Sequence, residues 1–546
     1  MEKKTNIKFN ILAIICIIIF CFAVTPVTLQ NDTYYTIKIG EHIVENGIDM
    51  QDPFSWHEDM PYTYPHWLYD LATYGIFHFF GMTGIYVATV ILCCILGILM
   101  YITCSKITKN KLISFIITIL SIFALKGFIA ARAQLVTYIM FVLEIYFIEM
   151  FLETKKKRYG VGLFILSLII ANVHVAVWPF FFIVFLPYIA EYIIKGIIDF
   201  HVIHTLNLWS IDSEIKKYTK KGNQEKVAKL EEKKEAVIEK FEKFKEKQNK
   251  ASENPYRVRI KKKKAAKWLF LIMIICALAG LLTPIGDTPY TYLVKTMQGN
   301  TTGSISEHQP IVFYNNQFAL IAILLFLVLL IFTDTKIELK DLFMIAGLAY
   351  MMIMSQRQFS LFIIIGFFIL TRLISEFVDK YDKTGTDEFI KIMTTWLGKI
   401  ATIIIIVALA YLVGKDKLDD KIIDESNYPV GAANYIKENI DLNNMKLYNE
   451  YNYGSYLLYQ GIPVFIDSRA DLYDPKFSGK EEDIFSDFLA MSSVNKYYED
   501  MFEKYGFTHL ILKKDTRLYI FISRDDNYKE LYSDDHFVVY ERLTNN

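Results

Sequence analysis

The sequence predicts a polytopic α-helical membrane protein of about eleven transmembrane helices carrying a C-terminal extracytoplasmic α/β domain, and three observations lead there. Of its 546 residues 53% are hydrophobic and 15% aromatic, more than a soluble chain carries. The charged residues are gathered into a few blocks separated by long apolar runs, and after residue 414 the composition becomes that of a soluble domain. Formal net charge is zero, so charge argues neither for nucleic acid nor for an acidic partner. The six cysteines (Cys16, Cys21, Cys93, Cys94, Cys104 and Cys276) lie in or at the ends of apolar spans without paired spacing. That argues against a disulfide framework and against Cys-ligated zinc.

A bilayer-crossing helix needs about 20 mostly apolar residues. The first run, residues 9–29, follows Lys3, Lys4 and Lys8. It is long and lacks a small-x-small cleavage site before Asn31, so it is expected to stay as the first span instead of leaving as a signal peptide. Further spans are expected at 81–103, 112–129, 134–152, 160–175, 177–196, 266–284, 317–333, 341–355, 358–374 and 398–414. If they alternate, every Lys-rich loop falls on one side, which the positive-inside rule makes cytoplasmic. The chain then divides into an N-terminal transmembrane region (1–212) with a large first extracytoplasmic loop (30–80), a Lys/Glu-rich cytoplasmic insertion (213–264), a second transmembrane region (265–414) and the extracytoplasmic domain (415–546). The expected location is the cell membrane, with the N-terminus inside.

Within the insertion, Val227, Leu230, Val237, Phe241 and Phe244 recur at helical spacing, predicting an amphipathic helix or short helical hairpin. Arg257, Arg259 and Lys261 to Lys264 precede the next span, where contact with anionic lipid is one reading and a solvated spacer the plainer one. In the tail, β-rich runs at 446–449, 463–467, 509–513 and 536–541 alternate with helical patterns at 431–438 and 483–491, which predicts a small α/β domain. No Gly-x-Gly-x-x-Gly or P-loop sequence occurs there.

Sorting polar residues by membrane side gives the candidate site. Asp32 lies at the outer end of the first span, in a loop crowded with carboxylates, imidazoles and aromatics. Arg132 and Gln134, Asn172 and His174, Glu307 and His308, and Arg357 with Gln358 all fall at the same outer boundary. Singly, each has a plain explanation, such as snorkelling of the arginines or capping by Asn172. Together they place arginines outside, against the positive-inside bias, as an anion such as a lipid-linked phosphate would require. Such a site suits glycosyl transfer: a carboxylate takes the acceptor proton while cations stabilise the departing phosphate. Asp32 has the position for the base, and Arg132 and Arg357 have the charge for the phosphate. His57, Trp67, Gln134, Asn172, His174, Glu307, His308 and Gln358 are the candidate substrate contacts. Glu144, in mid-span, has no assigned role. No HExxH, GxSxG or paired CxxC motif is present.

Short motifs along nearly the whole chain carry a resemblance. They are Asp32 in NDTYYTIKIGEHI, DPFSW at 52–56, HWLYD at 66–70, RAQ at Arg132, NVH at Asn172, PIGD at Pro284, SEHQP at Ser306, QRQ at Gln356 and NEYNYGSYLLYQGIPVFIDSRADLY at 449–473. On these the chain resembles the GT-C superfamily of integral-membrane glycosyltransferases, which use polyprenyl-phosphate-linked sugars. The resemblance implies a catalytic base at Asp32 and donor-phosphate contacts at Arg132 and Arg357. It also implies a polyprenyl-phosphate-sugar donor and a glycan, lipid or protein acceptor. Many relatives carry two adjacent acids in this loop, whereas Thr33 follows Asp32 and no outward Asp-x-Asp exists, so no cofactor is assigned and a divalent metal is doubtful. EYNYG at 450–454 resembles the tryptophan-rich acceptor motif of oligosaccharyltransferases only faintly. The competing readings are a transporter or flippase of lipid-linked precursors, which would need polar residues at mid-bilayer depth and inverted repeats, and a non-catalytic scaffold of envelope assembly. Asp467 and Arg469 are expected either to pair inside the tail domain or to face the membrane cavity.

Overall fold

A computed structural model describes residues 2–250, 257–261, 263–382 and 384–543. The first half contains α1 (Glu2–Val24), α2 (Asn31–Asn46), α3 (Trp67–Thr108), α4 (Lys111–Ala124), α5 (Ala133–Thr154), α6 (Lys157–Val173) and α7 (Trp178–Phe200). After a polar pair, α8 (Val202–Lys220) and α9 (Gln224–Lys250), and strand β1 (Val258–Arg259), come α10 (Lys267–Leu278), α11 (Thr288–Gln298), α12 (Thr301–Ser304), α13 (Gln317–Phe332), β2 (Ile337–Glu338), α14 (Leu339–Met354), α15 (Phe359–Tyr381), α16 (Gly385–Met393) and α17 (Trp396–Gly414).

Every expected span falls on a helix, and seven helices among the described residues are long and apolar enough to cross a membrane. The protein is therefore membrane-spanning. At the other four expected spans, α4, α6, α13 and α14 have 14, 17, 16 and 16 residues. They fall short of the roughly 20 that a crossing needs, so the count of about eleven exceeds what helix length supports.

The stretch expected as an open first loop is largely helical. α2 buries Thr33, Tyr34, Tyr35, Thr36, Ile37, Ile39 and Gly40, so tertiary packing overrides the weak helix propensity of its β-branched and aromatic residues. It lies so close to α3 that a Cβ on Gly40 would sit 2.2 Å from the Asp70 carbonyl oxygen. α3 bends at Gly81, whose φ of 64° suits only glycine at little cost. The segment of α3 before that bend, 67–80, falls within the stretch whose composition predicts a loop.

α8 and α9 pack against each other as a hairpin that begins at Val202, earlier than the Lys/Glu-rich block itself. His204 stacks on Phe241 at 3.8 Å, and Asp212 pairs with Lys234 at 2.7 Å. Of the basic cluster with lipid contact as one reading, Arg259 and Lys261 turn instead to Glu376 and Glu338, each at 2.5 Å; Lys262 lies outside the described residues. Beside them, Lys340 is 2% exposed and reaches Glu149 at 2.8 Å and Asp341 at 2.9 Å, tying α5 to α14. Glu144 is buried with neither carboxylate oxygen hydrogen-bonded.

After α17 the tail forms α18 (Val430–Asn439), β3 (Leu447–Tyr448), α19 (Tyr451–Tyr459), α20 (Pro475–Ser478), α21 (Ile484–Ser492), α22 (Tyr498–Tyr505), β4 (His509–Lys513), α23 (Arg517–Ile522), β5 (Tyr528–Ser533) and β6 (Phe537–Arg542). The sheet order is β3-β4-β6-β5, with β3 and β4 parallel and the other pairs antiparallel. Residues 463–467, expected as a strand, make a single parallel bridge, Val464 to Ser55, because they pair with the first-loop segment and not with the sheet. β5 was not anticipated, since YKELYS offers little apolar alternation. The helices expected at 431–438 and 483–491 appear as α18 and α21.

Glu450, just before α19, is 9% exposed, and burial followed by the charge of Asp515 raises its carboxyl to about 7. An acid with a raised folded-state pKa stabilises the fold below its unfolded value, and that contribution is lost as pH rises through the folded value. Glu450→Gln is expected to raise stability by roughly 3 kcal/mol at pH 8 and to change little at pH 4. Thermal unfolding at the two pH values measures this.

Candidate active site

The short segment between α1 and α2 turns the chain so that Asp32 occupies the first turn of α2. Arg132 stands immediately before α5 with extended backbone dihedrals. Its Nη2 lies 2.6 Å from Asp32 Oδ2, and its Nη1 donates to Glu307 Oε1 at 3.3 Å. Glu307 sits on a short turn that is pinned to the 356–358 turn: the Gln356 amide donates to the Gln309 carbonyl at 2.9 Å, and the Gln356 side chain reaches the Ser306 carbonyl. Three stretches far apart in sequence are thus joined by one guanidinium.

These groups line a cavity of about 380 Å³ between the helix bundle and the tail domain. Asp32, Arg132, His174, Glu307, His308 and Arg357 contribute to its wall, and Tyr451, Arg469 and Asp471 of the tail cover it. Gln134 lies in an adjoining cavity of about 230 Å³ that also touches Arg132, Glu307 and Arg357.

The electrostatics follow from this crowding. Burial pushes the Glu307 carboxyl upward, but Arg132 and then Arg357 outweigh it and hold the group below the usual carboxylate range. Burial would also discharge Arg132, which Asp32 and Glu307 prevent. His308 is lowered to about 4 by burial and by Arg357, and so is neutral. His174 Nδ1 lies 3.0 Å from Thr137 Oγ1, whose own proton goes to the Ala133 carbonyl at 2.9 Å. The imidazole must therefore donate from Nδ1, leaving Nε2 as an acceptor.

Five candidates are not on this cavity's wall: Gln134, in the adjoining one, and His57, Trp67, Asn172 and Gln358. His57 donates from Nε2 to the Phe465 carbonyl at 2.9 Å and stacks on Trp56. Trp67 Nε1 donates to Asn172 Oδ1 at 3.1 Å, and Asn172 Nδ2 reaches the Leu168 carbonyl at 2.8 Å. Gln358 belongs to the turn that carries Arg357. The polar atoms of His57, Trp67 and Asn172 are taken up by the Phe465 and Leu168 carbonyls and by the Trp67–Asn172 bond, which leaves these side chains off the cavity wall. His57, lowered to about 4 chiefly by burial, must stay neutral in the fold. A depressed histidine contributes stability above its unfolded value of about 6.5 that is lost toward its folded value, so roughly 2–3 kcal/mol should disappear between pH 6.5 and 4. A His57→Phe variant should lose that acid limb in unfolding titrations.

Residues not singled out as contacts complete the wall. His66 places Nδ1 at 3.0 and 3.1 Å from the two oxygens of fully buried Asp70, and Nε2 at 3.2 Å from the Tyr35 hydroxyl. Burial works against its charge, but Asp70 and more distantly Asp32 outweigh it and raise the imidazole above its ordinary range, and His66 faces the cavity. The spacing of His66 and Asp70, four apart in HWLYD, carried that signal. Tyr292, to which nothing local in the sequence points, hydrogen-bonds Asp471, and Arg469 reaches the wall from the tail.

Among the described residues no group of three or more His, Cys, Asp or Glu side chains is arranged to hold a metal ion. The nearest carboxylates at the cavity, Asp32 and Glu307, are bridged by a guanidinium, and this donor set does not fit a divalent cation.

Comparison with solved structures finds similarity to an oligosaccharyltransferase of Archaeoglobus fulgidus in its apo form. The TM-score is 0.54, covering 93% of this chain and 69% of that one. What the two share is a fold. Sequence identity is 11%, so the likeness shows a shared fold alone. No family model and no curated protein matches the chain.

Proposed function

We propose that this protein is a membrane glycosyltransferase that moves a sugar from a polyprenyl-phosphate-linked donor to a glycan, lipid or protein acceptor at the outer membrane face. The observation that carries the reading is the meeting of Asp32, Arg132 and Arg357 on one cavity under the tail domain. A cavity of about 380 Å³ suits a sugar phosphate headgroup, within the usual 300–1,000 Å³ for ligand sites. The likeness to an enzyme named for oligosaccharide transfer supports the same chemistry.

In this reading the acceptor oxygen attacks the anomeric carbon as Asp32 takes its proton, and the bond from that carbon to the phosphate oxygen breaks. The phosphate departs with the electron pair toward Arg132 and Arg357, with His66 on the same cavity wall. A donor phosphate competes with Asp32 for Arg132, so donor binding itself releases the carboxylate to act as base. The Lys-rich loops at the opposite end of the bundle support a cytoplasmic position for that end, and with it an outer position for the cavity.

The test is transfer of labelled sugar from a polyprenyl-phosphate donor by membranes containing Asp32→Asn or Arg132→Ala protein. Each is expected to lose activity by about 100-fold or more. Undiminished transfer by both variants overturns the reading.

A further inference from the structure

A second cavity, of about 950 Å³, lies between α6 and α10 and shares no wall with the candidate active site. Its floor is apolar, made by Phe151, Val161, Phe164, Leu271, Ile272 and Ile275. At its mouth stand four lysines, Lys155, Lys157, Lys264 and Lys267, and no acidic residue lines it. All four are exposed, and among the described residues none has an ion-pair partner. This separates them from Arg259 and Lys261, whose charges are met by Glu376 and Glu338. Lys267 instead rests over the ring of Trp268, 5.1 Å from its centroid.

The placement of this groove is fixed by α5 and α6. Arg132 precedes α5 and His174 follows α6, at the cavity, while Lys155 follows α5 and Lys157 begins α6 at the groove. α5 has 22 residues, which at 1.5 Å each spans about 33 Å, close to the roughly 30 Å hydrocarbon core. The lysine mouth therefore sits at the opposite border of the lipid from the candidate active site. An apolar trough that opens into the hydrocarbon and ends in unpaired ammonium groups matches one kind of molecule, with an acyl chain at one end and an anionic headgroup at the other.

We infer that the groove between α6 and α10 is a binding site for an anionic phospholipid, its acyl chain along Phe164 and Ile275 and its phosphate among Lys155, Lys157, Lys264 and Lys267. The inference stands apart from the proposed transfer chemistry. Its occupant is a bilayer phospholipid and not the polyprenyl phosphate of the other face.

Trp268, half-exposed in the groove wall, supplies the readout. The full chain is reconstituted into vesicles containing brominated phosphatidylglycerol or brominated phosphatidylcholine at equal mole fraction. The Trp268 signal is the difference between the native protein and Trp268→Phe. Quenching is expected to favour phosphatidylglycerol by about fivefold or more. Replacing the four lysines with glutamine should abolish the preference while leaving quenching by phosphatidylcholine in place. Gly160→Leu, which fills the seam where a Cβ would already stand 3.3 Å from Ile272 Cδ1, should lower quenching by both lipids. Equal quenching by the two lipids in the native protein, or an unchanged preference in the four-lysine variant, overturns the site.

Discussion

Arg469→Ala is expected to destabilise the tail domain by roughly 3–5 kcal/mol, the cost of removing one partner from a buried charge pair. Arg469 Nη1 donates to Asp52 Oδ1 at 2.7 Å, Nη2 to Asp467 Oδ2 at 2.6 Å and Nε to Asp467 Oδ1 at 2.9 Å. The side chain of Arg469 is 3% exposed, and those of Asp52 and Asp467 are fully buried. Truncation leaves the two carboxylates with neutral donors, the Phe54 and Ser55 amides on Asp52 and the Arg469 amide and Tyr473 hydroxyl on Asp467. Arg469→Lys should recover little, because an ammonium cannot reproduce the planar fork that holds both acids. The guanidinium also lies 5.0 Å from the Tyr62 ring centre, so the first-loop segment is fastened to the tail by the same group. Chemical denaturation of the full protein should show the tail transition moving to lower denaturant, with proteolysis at 50–62 appearing in parallel. A change below about 1 kcal/mol, the range of exposed pairs, would mean the cluster is hydrated in the membrane.

That arrangement also marks where the sequence stops being readable. Apolar runs announce helices because burial in lipid depends on composition alone, and each expected span indeed coincides with one. α2 escaped notice because its helix exists to pack Tyr34 and Ile37 against elements hundreds of residues away. The expectation that Asp467 and Arg469 either pair or face the cavity posed a choice the fold does not make: they pair, and Arg469 also lines the wall. Asp32, Arg132, Glu307 and Arg357 were legible because charge at a bilayer border is conspicuous. His57, Trp67 and Asn172 lie off the wall because residue type gives no direction, and their polar atoms turn to backbone and to each other. The covering residues Tyr451 and Asp471 depend on how a soluble domain docks on a bundle, which no local pattern encodes.

The Asp32–Arg132 pair separates catalysis from scaffolding because its two single variants move the donor KM in opposite directions. If Asp32 is the base, Asp32→Asn lowers kcat by roughly 10²–10⁴. The same substitution removes the anion that competes with donor phosphate for Arg132, 2.6 Å away, so the donor KM should fall. Arg132→Ala removes both phosphate binding and stabilisation of the leaving group, so its donor KM rises while kcat falls. Arg132→Lys keeps the charge but cannot reach Asp32 and Glu307 together, and should fall between the two. In the double variant the penalties should not add, because the arginine's ground-state partner has already gone. A pair that served only to hold α2 against α5 would behave otherwise. Both single variants would then lose thermal stability together and lose activity in proportion, with donor KM drifting the same way in each.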